Sequence, residues 1–129
     1  MTPFEIEIII PLSAIDDLNH VNNVTYLQWV QDVAEQHWNA KIDSRLRETY
    51  AWVVVNHNIT YKNPAFESET LLLQTWVENY TNVTCERHTK IVRKRDGVLL
   101  VTAKTVWCLI DKNTQKPSKI TDELLNLFS

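Results

Sequence analysis

Phe4-Glu5-Ile6-Glu7-Ile8 alternates bulk with charge, and a period of two predicts a first strand over residues 4–12 with one buried face. Residues 13–19 break the alternation and read as a loop with two adjacent acids, Asp16 and Asp17. From Asn22 or Asn23 the period becomes helical. Val24, Leu27, Val30, Ala34 and Trp38 recur at spacings of three and four, and Asn is a favoured N-cap, so a helix is expected to run to about Ala40. Residues 43–49 are polar and read as a short helix or a loop. Residues 51–61 are rich in β-branched and aromatic side chains, which predicts a second strand ended by Pro64. Residues 70–78, 83–95 and 98–110 predict three more strands. Asn79-Tyr80-Thr81-Asn82 is the first turn among them, and Asp96-Gly97 has the signature of a type I′ hairpin turn. Pro117 breaks the chain again, and Thr121 with Asp122 and Glu123 opens a short last helix.

The resulting order is β-α-β-β-β-β. One helix cannot cover both faces of a wide sheet. The economical architecture is α+β, a five-stranded antiparallel sheet wrapped around one long central helix, in a single domain over residues 1–129. The sheet face turned away from the helix keeps apolar residues, so self-association is expected.

Composition narrows the functional classes. Hydrophobic residues make up 44% and charged residues 22% of the chain, a globular balance without a disorder signature. The net charge is −3 with no basic stripe, which argues against nucleic acid as a partner. No apolar run approaches the ~20 residues of a membrane span, and the N-terminus lacks the pattern of a signal peptide. A cytoplasmic location is therefore expected, with Cys85 and Cys108 reduced. There is one glycine, Gly97, so left-handed turns elsewhere must use Asn or Asp.

The segment Asp16-Asp17-Leu18-Asn19-His20-Val21-Asn22-Asn23 holds the best candidate chemistry. It sets an acid just before a helix N-terminus, whose first N–H groups have no partner inside the helix and carry partial positive charge. Such donors can polarise a carbonyl and hold an oxyanion while the acid attacks or activates water. His20 can donate, accept or titrate. Local chemistry alone also permits a simple structural role, with Asp16 or Asp17 stabilising the helix start and His20 satisfied by an ordinary hydrogen bond. Cys85-Glu86-Arg87-His88 offers one Cys-x-x-His pair but no second pair at metal spacing, so no metal is expected. Lys62, Arg87, Lys90, Arg93, Lys94 and Arg95 are candidate phosphate contacts.

Asp16-x-x-x-His20-Val21-Asn22-Asn23-x-x-Tyr26 resembles the signature of the 4-hydroxybenzoyl-CoA thioesterase family. The stretch Asn19 to Tyr26 is also similar to the matching segment of plant acyl-ACP thioesterases. Val53 to Ala65, ending in Tyr61-Lys62-Asn63-Pro64-Ala65, resembles the strand that follows the helix in the same family. The resemblance implies a hotdog fold and hydrolysis of acyl-CoA thioesters without a cofactor. It implies a homodimer or dimer of dimers built by pairing residues 51–62 with their copy, and a site shared between two chains. It assigns the catalytic acid to Asp16, four residues before His20, and the carbonyl-polarising donors to the backbone of Asn22 and Asn23. Val21, Tyr26, His57 and Lys62 are implied on the substrate-binding side. A carrier-protein thioester could replace acyl-CoA, since both present a phosphopantetheine arm. Two departures stand out: Asn19 replaces a frequent glycine, and Gln31 replaces a frequent glutamate. Two other readings of the same residues are a hotdog hydratase or dehydratase acting on β-hydroxyacyl thioesters, and a non-catalytic acyl-thioester binder.

Overall fold

The computed structural model describes residues 3–128. Strand β1 (Phe4–Ile9) is followed by helix α1 (Asn23–Lys41), helix α2 (Ser44–Thr49), strands β2 (Tyr50–Tyr61), β3 (Thr70–Glu78), β4 (Thr84–Arg93) and β5 (Leu99–Asp111), and helix α3 (Asp122–Phe128). The five strands form one antiparallel sheet in the order β1-β3-β4-β5-β2. This is the expected α+β architecture.

Strand parity decides which residues meet the helix. In β3, Leu71, Leu73, Thr75 and Val77 point inward, and in β4 Cys85, Arg87, Thr89 and Ile91 do. The apolar stripe of α1, with Val30 and Val33 at its centre, packs on Leu71, Leu73, Ile91, Leu100 and Ala103. A second cluster of Ile42, Leu46, Leu109, Ile120 and Leu124 fastens α2 and α3 over the far end of the sheet. The core is therefore divided along the length of α1.

Two local expectations change, and one left open is settled. The first strand stops at Ile9, because Pro11 cannot donate to a ladder and the chain turns through a 3-10 segment at Leu12–Ala14. Residues 44–49 are helical, with the Asp43 carboxylate accepting from Leu46 N–H at 2.9 Å. The Asp96-Gly97 hairpin is wider than a two-residue turn. Gly97 N–H reaches back to Arg93 C=O at 2.8 Å, and Arg93 N–H pairs with Val98 C=O at 2.9 Å. Two bonds from Arg93 Nε to the Asp96 carboxylate, each 3.1 Å, hold this four-residue loop, and Gly97 has φ +70° as a left-handed turn requires.

The two sheet edges differ. β1 is short and carries Glu5 and Glu7, whereas β2 runs for twelve residues without a charge. β2 pairs with β5 on one side, and a bulge between Val54 and Asn56 leaves Val55 out of register and 62% exposed.

Candidate active site

The loop before α1 is a closed structure. Ile15 and Val21 form a bridge, Asp16 N–H donates to His20 C=O, and Asn19 N–H donates to Asp16 C=O, each bond at 3.0 Å. Asn19 sits at φ +66°, a left-handed backbone that Asn tolerates better than most residues. Two further bonds fasten the loop from outside: Val21 N–H to Ala65 C=O and Asn22 N–H to Ala14 C=O, both 2.9 Å.

This frame fixes Asp16. Its Oδ1 accepts from Leu18 N–H at 2.9 Å and lies 3.9 Å from His20 Nδ1. The Asp16 and His20 side chains are 27% and 33% exposed, so both are reachable from solvent yet held. Asp17, one residue on, is exposed and touches none of these groups. Of the two acids, Asp16 is the one that this loop holds near His20.

The helix start provides one donor rather than two. Asn22 is the N-cap, and its Oδ1 accepts from Val24 N–H at 2.8 Å. Thr25 and Tyr26 N–H both turn back to Asn22 C=O. The Asn22 N–H is committed to Ala14, which removes it from the expected pair of carbonyl donors. Asn23 N–H meets no acceptor among the described residues, and Asn23 is exposed. The four orphan groups of the helix end thus reduce to this single one.

The remaining expected residues divide. Val21 is 1% exposed, so only its backbone can face a ligand; its C=O lies 3.4 Å from His20 Nδ1. Tyr26 is a core residue, 3% exposed and packed against Trp29 and Tyr61. Burial, reinforced by Glu69, pushes the pKa of its hydroxyl up to about 12. Its ring, expected on the substrate-binding side, is enclosed by the core. His57 is held within its own chain: Nδ1 lies 2.9 Å from Thr105 Oγ1, and Gln31 Nε2 lies 3.3 Å from His57 Nε2. Burial lowers its pKa, so the neutral ring accepts from Gln31 and donates to Thr105. Gln31 of α1 is therefore the partner of His57. Lys62 is exposed at the end of β2, with its N–H on Leu100 C=O.

Two of the candidate phosphate contacts are spent elsewhere. Arg93 is tied to Glu69 and Asp96, and Arg87 is buried on the inner sheet face. Cys85 and His88 lie on opposite faces of β4, and burial pushes the Cys85 thiol up to about 11. No group of metal ligands occurs among the described residues.

A cavity of about 840 Å³ lies along the C-terminal half of α1. Its lining runs from the exposed β2 residues Val53 and Val54 to the buried Val77, Arg87 and Leu124. This volume lies within the range of small-molecule sites. It was not legible as a cavity in the sequence, since its residues come from seven elements, the turn between β3 and β4, and the loop after β5.

Residues 2–128 match the family model described as acyl-ACP thioesterase N-terminal domain. The chain is 28% identical over 115 residues to the long-chain acyl-CoA thioesterase FadM of Escherichia coli strain K12, covering 85% of each chain. Its fold is similar to that of Slr0204, a 1,4-dihydroxy-2-naphthoyl-CoA thioesterase from Synechocystis, with a TM-score of 0.85 at 17% identity over 98% of this chain and 95% of that one. It is also similar to SAV2348 from Staphylococcus aureus, solved in complex with CoA, with a TM-score of 0.86 at 14% identity over 97% of this chain and 80% of that one.

Proposed function

This chain belongs to the acyl-ACP thioesterase family, and on that premise we propose that it hydrolyses acyl-CoA thioesters to the free acid and coenzyme A. The observation that carries the reading is the unpaired Asn23 N–H at the start of a 19-residue helix, in one fastened loop with the half-buried Asp16 carboxylate.

The thioester carbonyl docks on Asn23 N–H, where the helix end favours negative charge. In the general-base form, Asp16 takes a proton from water as the oxygen adds to the carbonyl carbon. The oxyanion forms against Asn23 N–H, then collapses and expels the thiolate, which recovers the proton from Asp16. In the nucleophilic form, the Asp16 oxygen itself adds, the thiolate leaves, and water hydrolyses the resulting anhydride. His20, 3.9 Å from Asp16, is placed to hold the attacking water or the acyl oxygen. Asn22 serves as the cap that fixes this end, while Val21 and Tyr26 support it from the core. We assign Lys62 to the coenzyme A side, and His57 to the partner subunit's site.

The long uncharged β2 edge supports a homodimer built by pairing β2 with its copy, since such an edge left bare invites association. Among the described residues no helix is long and apolar enough to cross a membrane. We assign the protein to the cytoplasm, where its free Cys85 and Cys108 stay reduced. A thiol-release panel over short, long and aromatic acyl-CoAs tests the activity. Release from at least one class supports it, and hydration of crotonyl-CoA without free thiol would replace it with the hydratase reading.

A further inference from the structure

The wall of the large cavity carries a cation that no carboxylate among the described residues balances. Arg87 is 6% exposed, and the groups that bear most on its charge are the Cys85 thiol and Tyr80 phenol. Its Nη1 donates to His37 Nδ1 at 2.9 Å and to Thr75 Oγ1 at 3.1 Å. Burial, reinforced by Arg87, lowers the His37 pKa to about 4, so that ring is a neutral acceptor. Among the described residues Nε and Nη2 of Arg87 meet no acceptor.

Two more donors line the same cavity. Tyr80 Oη and Trp107 Nε1 are buried without a hydrogen-bond partner among the described residues. Buried polar groups are normally paired, and a buried unpaired charge is costlier than any neutral one. Guanidinium, indole and phenol all donate, so the set calls for an anionic oxygen acceptor. A guanidinium fork matches a carboxylate in shape, and one positive charge matches one negative charge. Trp38, Trp52, Val77, Leu124 and Phe128 make the rest of the lining apolar. Charged lining residues such as Glu35, Arg47 and Lys112 are exposed, at the cavity's outer side.

We propose that this cavity binds an apolar chain that ends in a carboxylate, with the carboxylate seated on Arg87 beside Tyr80 and Trp107. Two sources share this chemistry. One is a free fatty acid bound head inward. The other is the far end of a dicarboxylic acyl group whose thioester lies at Asp16, which rests on the hydrolytic reading above. Helix rise puts His37, the partner of Arg87, about 21 Å along α1 from Asn23. An extended chain advances about 1.2 Å per single bond, so that span is about 17 bonds and suits a long acyl group.

Three cavity tryptophans, Trp38, Trp52 and Trp107, make intrinsic fluorescence the readout. Wild type and R87M are titrated with dodecanoate and with methyl dodecanoate, which keeps the chain and removes the charge. The expected result is at least tenfold tighter binding of the acid than of the ester by wild type, and no preference in R87M. Equal binding of acid and ester by wild type overturns the proposal, and this comparison stands even if R87M fails to fold. Acid preference retained by a folded R87M overturns it too. Thiol release from hexadecanoyl-CoA and from the mono-CoA thioester of hexadecanedioic acid then assigns the source. A KM at least tenfold lower for the second substrate supports the dicarboxylic acyl group, whereas equal KM values with acid-selective binding support the free fatty acid. Absence of thiol release from any acyl-CoA removes the hydrolytic reading and leaves the fluorescence result intact.

Discussion

His37 makes the fold sensitive to mild acid, and its contribution can be isolated by a single substitution. The ring is 6% exposed, lies between Phe4 and Phe128, and accepts from Arg87. Desolvation is the main reason its pKa falls from 6.5 to about 4, with Arg87 and Lys41 adding repulsion. Between these two values the unfolded chain binds the proton and the folded chain does not. His37 therefore leaves stability intact above pH 6.5 and removes it as pH falls toward 4. The full shift corresponds to about 3 kcal/mol, and moving from pH 7.5 to 5.0 spends about 2 kcal/mol of it. H37Q keeps an acceptor for Arg87 but cannot titrate. Urea denaturation of both proteins at pH 7.5, 6.0 and 5.0 is the assay. Carboxylates titrate alike in the two, so the wild type is expected to lose about 2 kcal/mol more than H37Q across that range. Equal losses in the two proteins would refute the reasoning, as would a larger loss in H37Q.

Four further outcomes follow from particular residues. N19A forces an alanine into φ +66° and is expected to cost about 1–2 kcal/mol, while N19G is near neutral, as measured by urea denaturation. N22A removes the bond from Val24 N–H and is expected to cost about 1 kcal/mol, with a lower Tm in a thermal melt. V55K sets a charge on the protruding bulge of β2 and is expected to convert the proposed dimer to monomer in sedimentation, with far-UV circular dichroism unchanged. The Cys85 thiol, buried and pushed up to about 11, should resist a thiol reagent at pH 8 until denaturant is added.

Much of the fold follows from local pattern. The third strand is found at its expected bounds, residues 70–78, because alternation over Leu71, Leu73 and Val77 leaves one register. The Asn22 cap and the left-handed Asn19 were readable because both depend on a few neighbouring residues. The failures come from contacts between distant segments. Nothing near Asn22 in sequence says that its N–H is taken by Ala14, which narrows the site to Asn23. The wide hairpin at Gly97 depends on Arg93 folding over Asp96, which a dipeptide signature does not encode. Arg87 counts among the candidate phosphate contacts on its charge alone, yet it is buried. Parity contained the correction: Cys85, Arg87, Thr89 and Ile91 share one face of β4, while Glu86, His88 and Lys90 share the other. The pairing of Gln31 with His57 spans 26 residues and two elements, so neither residue alone announces it.

The central claim is that Asp16 and the unpaired Asn23 N–H form a hydrolytic site. Its most direct test is thiol release from hexadecanoyl-CoA by wild type and D16N under saturating substrate. D16N keeps the size of the side chain, and its Oδ1 can still accept from Leu18 N–H, so the loop is expected to persist. Wild type is expected to release thiol, with a kcat lower by about 10²- to 10⁴-fold in D16N and KM little changed. Equal kcat for the two proteins would contradict it.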